Sequence, residues 1–198
     1  MKTLLRRWSN SFLDEVQIVL AVMLAYLFTF ALVNFGILVL QNHLVIGGGE
    51  GVFFASLVFL PHGVRLLAAF VLGARSILPL FLSSAVITWS TLDIGEHSIW
   101  FGIPGAVCCF LAFRLFSYTG VLIESSAQMF LMWRQLLLVG FLGGVLNGLG
   151  IMLIYWIEGA PEVMIMSRLL GYIAGDTIGA FVLLLGVLWV SRVWRKVS

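Results

Sequence analysis

The chain has 198 residues, of which 62% are hydrophobic and only 10% are charged, and its mean hydropathy is +1.12. Soluble domains carry roughly 25% charged residues, so this composition excludes a soluble enzyme, a nucleic-acid-binding protein and a disordered chain. The net charge of +2 implies no polyanionic partner. The remaining class is an integral membrane protein with little mass outside the bilayer.

Six apolar runs approach the length of about 20 residues that a membrane-spanning helix needs, and none alternates like a strand of a membrane barrel. We therefore predict an all-α integral membrane protein, with one domain over residues 1–198 built as a bundle of six transmembrane helices. A short amphipathic segment, about residues 1–14, is expected to precede the first span. The spans are predicted at about Val16–Leu40, Phe53–Gly73, Ile77–Thr91, Ser98–Phe116, Gln135–Ile157 and Leu169–Val190.

The basic residues orient these spans. Six spans place both termini on one side, together with nine of the eleven basic residues, while Arg168 falls on the other side and Arg65 lies inside a span. The positive-inside rule then makes both termini cytoplasmic. The nine residues are Lys2, Arg6, Arg7, Arg75, Arg114, Arg134, Arg192, Arg195 and Lys196.

Two ionisable residues lie within predicted spans. Arg65 and Asp176 differ in predicted depth by roughly 6 Å, which a guanidinium on its long stem can cross. Such groups are costly in hydrocarbon and need a partner or a function. We predict that they pair, either as a static ion pair that holds the bundle or as part of a ligand or proton site.

Other polar residues share that depth. Pro61-His62-Gly63 predicts a helix break near mid-membrane, because proline removes a backbone hydrogen bond. Asn147 in the fifth span, and Thr177 beside Asp176, complete a predicted inward-facing cluster. The cluster is a candidate ligand site formed by His62, Arg65, Asn147, Asp176 and Thr177.

No metal site is expected, since no cysteine or carboxylate stands at ligand spacing from a histidine. The adjacent Cys108 and Cys109 are interpreted as packing residues, and they exclude a disulfide framework. No nucleophile elbow, P-loop or dinucleotide motif is present. We therefore expect no catalytic residues, no cofactor and no enzymatic activity.

Glycines recur every four residues in the last two spans, a spacing that lets another helix approach closely. Tight packing of these two helices within the chain is favoured over dimerisation. The expected helix-break and packing residues are Pro61, Gly63, Gly140, Gly144, Gly148, Gly171, Gly175 and Gly179.

Two of these segments carry a family resemblance. Residues 58–73, which contain Pro61-His62-Gly63 and end in glycine before Arg75, and the segment Gly175–Gly179 with its Gly-Asp-x-x-Gly pattern, resemble the membrane-associated sensor domain family, first class. The resemblance implies a bacterial inner-membrane sensor module. That family usually has about eight spans joined to a signalling enzyme, whereas this chain has six predicted spans and no output domain after Ser198.

Three functions remain open. The first is a stand-alone sensor-like or accessory module that acts through a membrane partner in signal transduction. The second is a substrate-binding subunit of an energy-coupling-factor-type transporter. The length, the six predicted spans and the small-residue pattern of Ala21 and Ala25 in the first span also resemble such subunits. The third is a structural subunit or assembly factor of a larger membrane complex. In each case the expected partners are the lipid bilayer and a membrane protein, with no nucleic acid.

Overall fold

The computed structural model describes residues 2–40, 43, 57–91, 98–120, 129–159 and 162–197. All regular structure in these ranges is helical, which confirms the all-α prediction for the described part of the chain. A π-helical turn at Val33–Ile37 extends the first helix, and 3-10 turns occupy Gly73–Ser76 and Ser98–Phe101. The helices are α1 (Lys2–Leu32), α2 (Leu60–Leu72), α3 (Ile77–Thr91), α4 (Gly102–Tyr118), α5 (Met129–Ile157) and α6 (Glu162–Val197).

Four helical stretches of the described residues are long and apolar enough to cross a membrane, and α4 is a shorter apolar helix. This number and composition are those of a multi-pass membrane protein. α1 runs without interruption from Lys2, so the expected amphipathic segment continues directly into the first span. The four stretches are Leu13–Leu40, Leu60–Trp89, Trp133–Ile157 and Arg168–Trp194.

Six full spans are not supported, because the second and third predicted spans form one apolar stretch that is broken in the middle. Gly73 has φ +58°, a conformation that glycine adopts at little cost, and it ends α2. α2 has 13 residues and α3 has 15, so they rise only about 20 Å and about 22 Å. A hydrocarbon core is about 30 Å thick, so each of these helices is shorter than a full straight span.

The predicted break at Pro61 is the beginning of a helix. Residues 53–56 lie outside the described residues, and α2 starts at Leu60 with Pro61 in its first turn. Proline is tolerated there because the first-turn amides have no partner within the helix. The segment that was predicted as a kinked span is therefore a short helix whose N-terminus is buried in the protein.

The buried core lies between α2, α4, α5 and α6, and α1 covers one side of it. Most of α1 is exposed, with 11% of its apolar window buried. Its main anchor is Tyr26, which is 2% exposed and packs in a cluster with Val64, Leu80 and Ala106. A second cluster joins the other helices through Leu66, Ala112, Val139 and Ala180. The start of α2 therefore has buried side chains on several sides.

Candidate intramembrane polar site

The start of α2 is fixed to α6 through the backbone. The amide of Phe59, the residue before α2, donates to the carbonyl of Gly175 at 2.9 Å. The backbone of Phe59 lies so close to Gly179 that a Cβ there would overlap its carbonyl group. The N-terminal end of α2 therefore packs against the Gly175–Gly179 segment of α6.

Asp176 lies between these two glycines and is 1% exposed. Its Oδ2 accepts a hydrogen bond of 2.7 Å from Nδ2 of Asn147 on α5. The same oxygen lies 3.4 Å from Nδ1 of His62 on α2. Asp176 therefore joins three helices through two polar side chains that are themselves fully buried.

His62 extends this connection to the backbone of α5. Its Nε2 lies 2.9 Å from the carbonyl oxygen of Gly140, which can only accept, so Nε2 donates in this geometry. The ring is 0% exposed and lies in the first turn of α2. Because His62 lies in the first turn of α2, its side chain contacts both Gly140 on α5 and Asp176 on α6.

Arg65 contacts a different set of groups. Its Nη2 donates to the hydroxyl of Tyr26, and its Cζ lies 5.3 Å from the ring centroid of Tyr26 and 5.5 Å from that of Phe59. The guanidinium rests on α4 where Gly105 has no side chain, since a Cβ there would lie 2.7 Å from Cζ. Two aromatic faces and a glycine thus hold a side chain that is 6% exposed.

The predicted ion pair between Arg65 and Asp176 is not formed within 4 Å. In the described part of the chain, the pairs within that distance are His62–Asp176 and the exposed Glu15–Arg75. The cause is competition, because Tyr26 holds the guanidinium while His62 and Asn147 hold the carboxylate.

Of the five predicted cluster residues, four are buried: His62, Asn147 and Asp176 meet between α2, α5 and α6, while the Arg65 side chain lies against α1 and α4. Thr177 does not join them, because its hydroxyl donates to Ile173 on its own helix at 2.6 Å. A hydroxyl that is satisfied by the preceding turn is a common way for threonine to lie in an apolar helix. Depth was thus a good guide to Asn147, whereas sequence adjacency to Asp176 was a poor guide to Thr177.

Several buried polar atoms of this cluster have no hydrogen-bond partner among the residues that the structure describes. They include Nε and Nη1 of Arg65, Oδ1 of Asn147 and Oδ1 of Asp176. The first two atoms are donors and the last two are acceptors. Buried polar groups are normally satisfied, and each exception calls for an explanation. The four atoms therefore leave two donors and two acceptors available to a further polar partner.

The glycines of α5 make room for side chains. A Cβ on Gly140 would meet Leu66 at 3.1 Å, one on Gly144 would meet Cβ of Asp176 at 3.0 Å, and one on Gly148 would meet Leu169 at 3.0 Å. Gly63 of α2 faces Leu183 in the same way, at 2.7 Å, whereas Gly171 is half-buried on α6. The close approach of α5 and α6 agrees with the predicted packing.

Cys108 and Cys109 of α4 lie beside the cluster, which the sequence reasoning missed. The Sγ of Cys109 is 3.9 Å from Nε2 of His62 and 3.9 Å from the Sγ of Cys108. Spacing along the chain gave no signal, because the cysteines follow His62 by more than forty residues and meet it only through the packing of α2 against α4.

The comparisons with known proteins supply no relative for this chain. No protein-family model matches it, and neither the curated proteins nor the solved structures contain a match. The function therefore has to be inferred from the site itself.

Proposed function

We propose that this protein is a non-enzymatic integral membrane module of the sensor-like or accessory kind, which binds a small polar ligand between α2, α5 and α6 and acts through a membrane partner. The observation that carries the proposal is the set of unpartnered donors and acceptors on Arg65, Asn147 and Asp176. Side chains of this kind within membrane segments usually serve function, because they are costly there.

The position of the set at the buried start of α2 supports a ligand role. Interrupted helices whose ends lie inside the protein form ligand sites in many membrane proteins, since the end of the helix supplies free backbone groups and charge. The short α2 also offers a way to report occupancy. It ends at the Gly73–Ser76 turn, where exposed Arg75 contacts Glu15 of α1 at 3.3 Å.

The proposed setting is the inner membrane of a bacterium, with both termini on the cytoplasmic side. The contact of Arg75 with Glu15 supports this orientation, because it places the Gly73–Ser76 turn beside the first part of α1. Arg75 and the basic N-terminal residues Arg6 and Arg7 then share one side, as the positive-inside rule requires. The proposed setting and the sensor-like role follow the resemblance of residues 58–73 and Gly175–Gly179.

The ligand proposal is tested by purifying the tagged full-length protein in a mild detergent and identifying bound small molecules and proteins by mass spectrometry. The informative variant replaces Arg65→Met together with Tyr26→Phe, which removes a buried charge and its hydroxyl partner at once. Removing one of two offsetting buried charges destabilises a protein, because Asp176 is left without its counter-charge. We therefore expect a lower unfolding temperature together with at least a tenfold loss of bound compound.

The matched control is Thr177→Val, since this hydroxyl bonds only within its own helix. It should retain both the compound and the partner. If Arg65→Met, Tyr26→Phe protein that still elutes as wild type does retains the compound in full, Arg65 does not bind it and the ligand proposal is wrong. If no compound is enriched with the wild-type protein, or the protein is monomeric without a partner, the corresponding half of the proposal fails.

A second candidate is the substrate-binding subunit of an energy-coupling-factor-type transporter. The observation that favours it is an open apolar groove between α1, α2 and α6, which Ala21 and Ala25 line together with Val71 and Val187. Small residues on a helix surface let a partner helix approach closely. Ala21→Leu should then abolish copurification of an ATPase-containing complex while leaving compound binding intact. If the complex still copurifies with the Ala21→Leu protein, this candidate is rejected.

A further inference from the structure

We propose that His62, Cys108 and Cys109 form a buried binding site for a thiophilic d10 metal ion, specifically Zn²⁺. A ring nitrogen of His62 and the two Sγ atoms all lie within 4.8 Å of one another, and all three residues are fully buried. Cysteine and histidine are the ligands that zinc prefers, and the site joins α2 to α4 next to the polar cluster.

The distances are close to those of a formed site. With Zn–S bonds of about 2.3 Å and Zn–N bonds of about 2.0 Å, tetrahedral geometry requires sulfur atoms about 3.8 Å apart and sulfur–nitrogen pairs about 3.6 Å apart. The observed separations are 3.9 Å between the two Sγ atoms and 3.9 Å from Sγ of Cys109 to Nε2 of His62. Shifts of a few tenths of an ångström bring these two pairs to tetrahedral geometry, and the third pair, His62 with Cys108, lies within 4.8 Å and has to close by up to about 1.2 Å.

The surroundings of His62 also fit metal binding. Oδ2 of Asp176 lies 3.4 Å from Nδ1, the ring nitrogen that does not face Cys109. Metal binding requires the other tautomer of His62, in which Nε2 gives up its hydrogen bond to Gly140 and directs its lone pair at the metal while Nδ1 carries the proton toward Asp176. Metal-bound histidines commonly donate their second N–H to a carboxylate in this way. The carbonyl oxygen of Gly140, 2.9 Å from Nε2, is close enough to serve as a fourth, oxygen ligand.

A glycine on α5 provides the space around the ligands. A Cβ on Gly143 would lie 3.0 Å from Sγ of Cys109 and 3.5 Å from Cε1 of His62. Gly143 is outside the four-residue series of Gly140, Gly144 and Gly148, so the helix-packing pattern does not account for it. Its neighbours are the two side chains that the metal would join.

Charge balance favours divalent Zn²⁺ over monovalent Cu⁺. On binding, each cysteine thiol releases its proton to solvent, and the two thiolates neutralise the two charges of Zn²⁺. The charges of Arg65 and Asp176 already offset each other, so the zinc-bound interior is neutral. Cu⁺ would leave one net negative charge among residues that are 0% to 6% exposed, which is unfavourable in an apolar interior.

The test is metal binding to the purified full-length protein in detergent, with Zn²⁺, Co²⁺ and Cu⁺ as separate probes. We expect one zinc per chain by elemental analysis, and a thiolate charge-transfer absorption with Co²⁺ that requires both cysteines. Cys108→Ser combined with Cys109→Ser should reduce zinc affinity by at least a hundredfold. His43→Gln, at an exposed histidine outside the site, should bind like wild type.

Two further variants guard against simple misfolding. Gly143→Ala leaves every ligand in place but crowds Cys109, so it should weaken zinc binding about tenfold in a protein that still elutes as wild type does. Asp176→Asn should weaken it to a similar extent, through the orientation of His62. Zinc binding that survives the double cysteine variant, a preference for Cu⁺ over Zn²⁺, or the absence of binding by folded wild-type protein would each overturn the proposal.

Discussion

The two glycine-rich helices of the core share a four-residue spacing but accommodate different parts of their neighbours. On α5, Gly140, Gly144 and Gly148 face side-chain atoms, which can turn aside. On α6, Gly179 faces the backbone of Phe59, which cannot. The same spacing therefore has two structural roles. It packs helix against helix on α5, whereas on α6 it holds the position at which α2 begins.

Gly179→Ala should produce the largest effect, because the new methyl group would overlap the Phe59 carbonyl. Moving that backbone breaks the Phe59–Gly175 hydrogen bond and shifts the start of α2. Overpacking of this kind costs about 3 kcal/mol, and here no flexible side chain can absorb it. Thermal unfolding in detergent should show a much lower transition temperature. A wild-type transition would mean that Phe59 does not lie on Gly179.

Gly144→Ala should have a smaller effect, since the new Cβ would lie 3.0 Å from Cβ of Asp176. Asp176 must give way by a few tenths of an ångström, which weakens its hydrogen bond to Asn147. We expect a loss of about 1 kcal/mol, because the gain in helix propensity offsets part of the strain.

A double-mutant cycle identifies the source of that loss. Once Asn147→Leu has removed the hydrogen bond, Gly144→Ala should cost less than it does in the wild-type protein. If the effects of Gly144→Ala and Asn147→Leu on the free energy of unfolding are strictly additive, the strain does not act through the Asn147–Asp176 hydrogen bond. Gly144 would then contribute only by leaving space for α6.

The sequence predicted the membrane class, the helical fold and four members of the buried cluster, because apolar runs, glycine spacing and predicted depth are local features. It did not predict the pairing within the cluster. Whether Arg65 meets Asp176 or Tyr26 depends on how α1 packs against α2, and nothing in the local sequence encodes this. The same holds for Cys109 and His62.

The late start of α2 was missed for a related reason. Residues 53–73 are mostly apolar, so hydropathy predicts a full-length span where the helix begins only at Leu60. The other end was predicted well, because the predicted boundaries at Gly73 and Ile77 flank the Gly73–Ser76 turn. A proline in an apolar run signals a kink and the first turn of a helix equally well, so it does not by itself tell where α2 begins.

Gly105→Ala tests a third kind of contact, in which a glycine accommodates the charged end of a flexible side chain. The new Cβ would displace the Arg65 guanidinium, whose stem can rotate away, so the stability should fall by less than about 1 kcal/mol. The hydrogen bond to Tyr26 and the position of the guanidinium would be lost. Under the proposed function, compound binding should drop as far as it does when Arg65 is replaced by Met. Full binding in a stable Gly105→Ala protein would separate the ligand from Arg65.

Gly186→Ala should give the smallest effect and the opposite sign. A Cβ at this position of α6 meets no atom within 4 Å. Alanine restricts the unfolded chain more than glycine does, so we expect a gain of about 0.5 kcal/mol in the free energy of unfolding. Gly179 and Gly186 lie on one helix and differ in what they face, so the pair isolates close approach from helix propensity. If both substitutions destabilise the protein equally, α6 needs its glycines for flexibility along the helix, and the contrast with α5 no longer holds. If only Gly179→Ala does so, the backbone contact with Phe59 is the feature that sets where α2, and with it His62 and Arg65, can lie.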